Sequence, residues 1–311
     1  MAIGLQEVTV LKISVVVCTY NRAQLLSACL ESICSNLLPD CQLLVIDNGS
    51  TDNTKQVVEG FRWPTYVPES RPGHSSARNA GVAASTGDLI VFTDDDVVVD
   101  PGWLEALTAP FEDPRVAATG GRILHEGVTA NIGEHASLVE LIDYGESPFE
   151  FAGGDNLPVG ANMAIRRSLL KADPLFDPRL GNTRGLALAN EEFEMMHRLV
   201  LAGHRLVYCP TAVVRHRPLP GRTTSKALRR AAFHHGFGMA RRHWIQGELQ
   251  PSPRQWKRVV AAARPVIATR IRRQYSLEQE LSATQQLGWS IEEWLMPRVN
   301  LANTIARYFP V

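Results

Sequence analysis

Three apolar runs in the first third of the chain, ISVVVCTY, CQLLVIDNGS and DLIVFTDDDVVVD, carry too many consecutive aliphatic residues for either strand face to meet water. Strands buried on both faces belong inside a parallel sheet covered by helices. The segments between them supply those helices. RAQLLSACLESICSN sets Leu25, Leu26, Cys29, Leu30 and Ile33 at helical spacing, and STDNTKQVVEGF opens a second helix from a Ser/Thr/Asp cluster. SSARNAGVAASTG reads as a short helix ended at Gly87, and PGWLEALTAPFED resumes as a helix with Pro101 near its first turn. This rhythm predicts an α/β fold with a Rossmann-like, mostly parallel sheet flanked by helices. Ligands of such sheets collect beyond the carboxyl ends of the strands, where Thr19 to Arg22, Asp47 to Ser50 and Asp94 to Asp96 all fall.

After Pro114, VAATGGRIL reads as a strand and His125 to Leu157 as irregular structure. VGANMAIRRSLLKA reads as a strand leading to a helix, and FDPRLGNTRG as a turn-rich stretch. NEEFEMMHRLVLAGHR is expected to be a helix and LVYCPTAVVRH a pair of strands. A main domain over 1–217 is expected, in two halves near 12–115 and 116–217. A basic helical C-terminal extension covers 218–311. The formal net charge of zero conceals a separation: from Arg215 to Tyr275 there are 15 Lys and Arg against one acidic residue, a local +14 balanced by −14 elsewhere. An anionic partner for that segment follows.

No apolar stretch approaches the length of a bilayer span, and the N-terminal apolar run passes straight into CTYNR without a small-residue cleavage site. The five cysteines have neither zinc-ligand spacing nor an even count. Reduced thiols in a cytoplasmic protein are expected, with peripheral contact at the inner face of the membrane as the closest approach to lipid.

Three adjacent carboxylates at a strand end repel one another and cost stability unless a cation neutralises them. Hard divalent ions such as Mn²⁺ or Mg²⁺ resolve the conflict and coordinate substrate phosphates in their remaining positions. CTYNR, VIDNGSTD, RNAG and FTDDD followed by PGWL, in that order over roughly residues 12 to 216, resemble the family 2 glycosyltransferases with the GT-A fold. The resemblance implies an inverting enzyme that moves a sugar from a nucleoside-diphosphate donor, of UDP or dTDP type, to a glycan or lipid-linked acceptor. It implies that Thr19, Tyr20 and Arg22 line the nucleotide pocket and that Asp47 contacts the base. Asp94 to Asp96 become the family's Asp-X-Asp element, with Asp94 and Asp95 on the donor and Asp96, joined by Asp94 and His216, on the metal. Arg71, Gly73, Arg78 and Asn79 fall in the segment that reaches over the nucleotide. A second role for Arg78, tethering the acidic loop by an ion pair, stands beside that one.

On the acceptor side the resembling enzymes carry Glu-Asp or Asp-Asp at the start of a helix, the second acid being the base. This chain has Asn190-Glu191-Glu192 and departs by placing glutamate second, so the assignment lies between Glu191 and Glu192, with Glu192 favoured. Glu194 is read as complementing the helix dipole. The basic segment 222–273 has two readings: contact with an anionic membrane or lipid-phosphate acceptor, and pairing with the acidic catalytic half. Nucleic acid is not expected as a partner, since no nucleic-acid motif accompanies the charge. A sugar nucleotidyltransferase lacks support because CTYNRAQLL is not a Gly-rich phosphate loop. Retention of Asp94, Asp96, Glu191 and Glu192 together weighs against a decayed, non-catalytic scaffold.

Overall fold

A computed structural model describes residues 11–125, 142–154, 156–170, 175–182, 188–217, 221, 224–249, 255–272 and 276–295. The expected loops between 126 and 141, the end of FDPRLGNTRG, and Arg222 and Arg273 at the limits of the basic segment lie outside the described residues. The first half alternates as expected: β1 (Ile13–Thr19), α1 (Ala23–Cys34), β2 (Gln42–Asp47), α2 (Thr54–Glu59), β3 (Pro64–Pro68), α3 (His74–Ala84), β4 (Leu89–Asp94), β5 (Val97–Val99) and α4 (Trp103–Thr108). The second half adds β6 (Val116–His125), β7 (Phe149–Glu150), β8 (Asn162–Arg166), α5 (Glu191–Leu201) and β9 (Arg205–His216). Three helices follow, α6 (Ser225–Ile245), α7 (Gln255–Arg272) and α8 (Leu277–Leu295).

One mixed sheet of order β3-β2-β1-β4-β8-β6-β9-β5 organises the molecule, with β7 paired to β9. β3, β2, β1, β4, β6 and β9 share one direction, while β5, β7 and β8 oppose them. β1 shows why its sequence is unbroken: Val15 and Val17 enter one apolar layer with Leu26, Leu30 and Trp103, and Val16 and Cys18 enter the other with Ala77, Met195 and Met196. Register brings Thr19 opposite Asp47 and Cys18 opposite Asp94, so three polar strand ends meet at one level. The chain order reverses between β1 and β4, the place where open α/β sheets leave a crevice.

Two sequence expectations change. LVYCPTAVVRH is a single strand, β9, instead of a pair: its partner register jumps from Gly121↔Cys209 to Arg122↔Val213. Asn162 fills the irregularity, donating Nδ2 to Ala212 O at 2.8 Å and Arg122 O at 3.0 Å while accepting from Trp103 Nε1 at 2.8 Å. Of RRSLLKA, the described residues 166–170 make a 3-10 turn over Arg167–Leu169 where the start of a helix was expected, and Lys171 and Ala172 lie outside the described residues. The Arg167 N–H is held by Asp88 O, and the Arg166 guanidinium by the carbonyls of Phe111, Asp113 and Val116, which fix the chain to the segments that lead into β4 and β6. β3 went unrecognised in sequence because PTYVP begins and ends on proline, a composition tolerated only at an edge strand.

In the extension α6 and α8 run parallel: Arg229 pairs with Glu280 and Arg241 with Glu292, both at a spacing of 51 residues. Arg258 of α7 pairs with Glu293. These cations are therefore answered within the extension, by α8, and not by the acidic catalytic half. Among the described residues no helix is long and apolar enough to cross a membrane, and the five cysteines form no disulfide.

Replacing Asn162 by Leu strands Trp103 Nε1 and two carbonyls without partners inside the protein. Each buried unsatisfied group costs about 1–3 kcal/mol. Urea unfolding of Asn162→Leu is expected to show a loss of about 2–4 kcal/mol; a loss within measurement error would refute this role for Asn162.

Candidate active site

The three strand ends are tied into one cluster by side chains. Thr19 Oγ1 donates to Asp95 Oδ2 at 2.7 Å, across the gap between β1 and β4. Arg22, in the loop after β1, reaches Asp95 Oδ1 at 2.9 Å and Asp96 Oδ2 at 3.0 Å. Tyr20 stands exposed beside them. Asp95 and Asp96 are both buried, and the turn they form joins β4 to β5. β5 pairs with β9 so that Val97 lies opposite His216, and His216 Nε2 comes within 3.2 Å of Asp96 Oδ1. Asp94, Asp96 and His216 each bring one ligand atom within 4.8 Å of the others. Two carboxylate oxygens and an imidazole nitrogen make a donor set suited to Mn²⁺ or Mg²⁺. Burial and the neighbouring carboxylates Asp95 and Asp94 outweigh His216 and Arg22 and push Asp96 up to about 7. A bound cation would reverse that penalty.

Asp47 is buried at the end of β2, accepting from Ser50 N at 2.9 Å and from Tyr66 Oη at 2.7 Å. Asn48, absent from the sequence-derived set, fastens the next wall: Nδ2 donates to Arg71 O at 2.7 Å and Oδ1 accepts from Gly73 N at 2.8 Å. Arg71 is exposed and paired with Glu69 at 2.8 Å. Gly73, at φ 118°, turns the chain into α3 through a conformation open to glycine. Asn79 clamps a distant loop, its amide donating to Phe176 O at 2.8 Å and accepting from Phe176 N at 2.9 Å.

Arg78 does not tether the acidic loop; Arg22 does that. The buried Arg78 guanidinium instead reaches across to α5, where Nη1 lies 2.8 Å from Glu191 Oε1 and 3.3 Å from Glu192 Oε2. It passes directly over Gly160, where a Cβ would sit 1.7 Å from Arg78 Nη2. His74 Nδ1 meets the same Glu191 oxygen at 3.1 Å. No signal in the sequence marked His74, since its partner is more than a hundred residues away. Burial and Arg78 oppose a charge on His74, but hydrogen bonds to Cys18 and Glu191 overcome them and lift it to about 10. The two glutamates are pushed apart. Burial opposes the charge on Glu191, and Arg78 with His74 overrules it, holding Glu191 well below the usual carboxylate range. Glu192 suffers burial and the charge of Glu191 against weaker help from Arg78, and rises to about 7. Glu194 is also buried and pairs with Arg198 at 2.9 Å. Arg78, which pairs with both glutamates, also feels the charge of Asp94, so the acid pair and the strand-end cluster lie within electrostatic reach of one another.

The family model described as glycosyl transferase family 2 matches residues 14–173, just over half of the chain. The chain belongs to glycosyl transferase family 2. This family 2 chain is 27% identical over 212 residues to the O-antigen chain rhamnosyltransferase RfbN of Salmonella typhimurium, a match covering 66% of each. It is 25% identical over 241 residues to the glucosyl-dolichyl phosphate glucuronosyltransferase of Haloferax volcanii, covering 73% of this chain and 76% of that one. It spans less than two thirds of the length of several other relatives, down to 27%. The mannosyltransferase PcManGT from Pyrobaculum calidifontis, solved in complex with GDP-Man and Mn²⁺, superposes with a TM-score of 0.56 at 20% identity, covering 96% of this chain and 80% of that one. The fold is therefore GT-A.

The split between the two glutamates sets a pH dependence. Glu192 has a folded value of about 7 against an ordinary 4.5, so its protonated form favours the fold. Its contribution is complete below about pH 4.5 and disappears as pH rises through about 7. Glu192→Gln should thus gain stability relative to wild type between pH 5 and 8, by on the order of 2 kcal/mol. Chemical denaturation of both proteins across that range checks it, and parallel curves would contradict the assignment.

Proposed function

We propose that this chain is an inverting glycosyltransferase that moves a sugar from a nucleoside-diphosphate donor, of UDP or dTDP type, to an acceptor hydroxyl in the synthesis of a surface polysaccharide or glycolipid. One observation carries the reading: a cation-seeking cluster of Asp94, Asp96 and His216 lies within electrostatic reach of Arg78, the cation that contacts a carboxylate, Glu192, poised near neutrality. The cluster is suited to a diphosphate leaving group and the carboxylate to a hydroxyl that must lose a proton. In support, relatives of this chain bear the names of a rhamnosyltransferase and a glucuronosyltransferase, and a structural neighbour was solved with GDP-Man and Mn²⁺.

In this reading Asp47 takes the base, Thr19, Tyr20 and Arg22 line the nucleotide pocket, and Asp94 and Asp95 serve the donor sugar and ribose. Asp96, Asp94 and His216 hold the metal, Mn²⁺ or Mg²⁺, which when bound neutralises the diphosphate charge as the sugar departs. Arg71 at the rim and Gly73 beneath it shape the cover over the nucleotide. Glu192 takes the acceptor hydroxyl proton while the acceptor oxygen bonds to the anomeric carbon and the bond to the diphosphate breaks on the opposite face. Glu191 cannot compete for that proton, because Arg78 and His74 keep it ionised. Glycan and lipid-linked hydroxyls are the acceptor class. Peripheral contact with an anionic membrane through 222–273 now rests on the basic residues that α8 does not pair.

Glu192→Gln is expected to lower kcat by about 10²–10⁴-fold with donor affinity retained, and NMR of the first-formed product should show an inverted anomeric centre. A severe Glu191→Gln beside an active Glu192→Gln would reverse the assignment, and retained configuration would reject the mechanism. Calorimetry of UDP should show binding that requires Mn²⁺ and is weakened at least tenfold in Asp96→Ala. Equal affinity in EDTA would remove the metal from the reading.

A further inference from the structure

The extension contains a cavity that the transfer reaction does not use. It has a volume of about 490 Å³ and lies between the N-terminal half of α6 and the middle stretches of α7 and α8. That size falls within the range of small-molecule pockets, roughly 300–1,000 Å³. Its interior is mostly aliphatic and aromatic, Phe233 from α6, Ala263 and Val266 from α7 and Leu287 from α8, beside Thr284, whose hydroxyl is spent on Glu280 O. Along α6 the lining positions 226, 229, 230 and 233 follow the i, i+3, i+4, i+7 stripe of a single helix face, so one face carries cations at one end and a phenyl ring at the other.

Charge distribution separates this place from the rest of the bundle. Where the helices close on one another, the basic residues are answered by α8: Arg229 by Glu280, Arg241 by Glu292 and Arg258 by Glu293. Lys226 and Arg230 also line the cavity, both are exposed, and among the described residues neither has a carboxylate within ion-pair distance. Two cations one helical turn apart, with Arg229 between them, suit an anion carrying more than one charge. A phosphate monoester has a charge of about −1.5 to −2 at neutral pH. An apolar interior below that rim gains by burying hydrocarbon, at about 0.8 kcal/mol per CH₂.

We propose that the cavity between α6, α7 and α8 binds a single-chain alkyl phosphate, with the phosphate on Lys226 and Arg230 and the hydrocarbon against Phe233, Val266 and Leu287. The site is separate from the crevice at Asp94 to Asp96 and does not rest on the reaction proposed there. Calorimetry on the full chain tests it with dodecyl phosphate kept below its micelle concentration, beside dodecyl maltoside, dodecanoate and inorganic phosphate. Saturable binding of one dodecyl phosphate per chain is expected, at least tenfold tighter than either other amphiphile, with no heat from inorganic phosphate. Lys226→Gln/Arg230→Gln should weaken it at least tenfold. Ala263→Leu and Leu287→Trp fill the cavity from opposite walls, and each should abolish binding while circular dichroism shows the helices intact. Absence of saturable binding overturns the proposal, as does an unchanged affinity in the exposed-charge variant, which can be made without disturbing the core. Equal or tighter binding of dodecanoate overturns the phosphate assignment.

Discussion

Two adjacent carboxylates in the first turn of a helix, both withdrawn from water, are untenable unless a cation is buried with them. Arg78 provides it, and much of the arrangement follows from where that guanidinium must lie. It starts on α3, in the half that forms the three parallel strand ends, and finishes on α5, in the half that carries the acid pair. The route passes over Gly160, in the approach to β8, where any side chain would occupy the same space. The strand ends, β8 and α5 are thus held at one mutual distance by a single planar group. On the other side of the crevice Arg22 plays the comparable part for Asp95 and Asp96, but there the compensation is incomplete. Asp96 remains lifted by its acidic neighbours, and the cluster retains an appetite for positive charge.

Asymmetry within the acid pair comes from geometry alone, since both residues are glutamates on the same turn. Glu191 receives the shorter contact from Arg78 and a second cation in His74. Glu192 receives the longer contact and the repulsion of its neighbour. One acid becomes a fixed charge and the other a titrating one, which is the usual way in which a site assigns different duties to identical groups.

The α/β class, the strand-end cluster and the acid pair were legible because each is a local signal: unbroken aliphatic runs, three consecutive aspartates, and a short motif at a helix start. What escaped depends on partners remote in sequence. The charge run of α6 and α7 is answered in part, at Arg229, Arg241 and Arg258, by acids that sit on α8 and so lie beyond the run in sequence. The strand pair expected around Pro210 fails because Asn162, a residue of another strand, supplies the hydrogen bonds that let β9 continue through its irregularity. Asn48 and His74 belong to the same class, a polar residue whose meaning lies wholly in what the fold sets beside it. Arg78 was legible as important and misread in one respect, because the sequence offers three aspartates nearby and the fold delivers two glutamates instead.

The helical extension meets the rest of the molecule through side chains, Phe237 against Leu188 and Arg242 over Phe193, and at one point through its main chain. At Gly238 of α6 the helix backbone comes so near the loop before α5 that a Cβ would stand 2.3 Å from Leu188 O and 2.6 Å from Asn190 Nδ2. Asn190 is the residue that opens α5, immediately ahead of the acid pair. Where the Gly238 main chain meets the carbonyl of Leu188 there are no rotamers with which to absorb change, so a shift on one side must be matched on the other. The bundle and the acid-bearing loop are thus mechanically coupled, and exchanging the bundle for another would shift the loop with it. A chain cut after residue 217 would lose the floor on which its own glutamates are set.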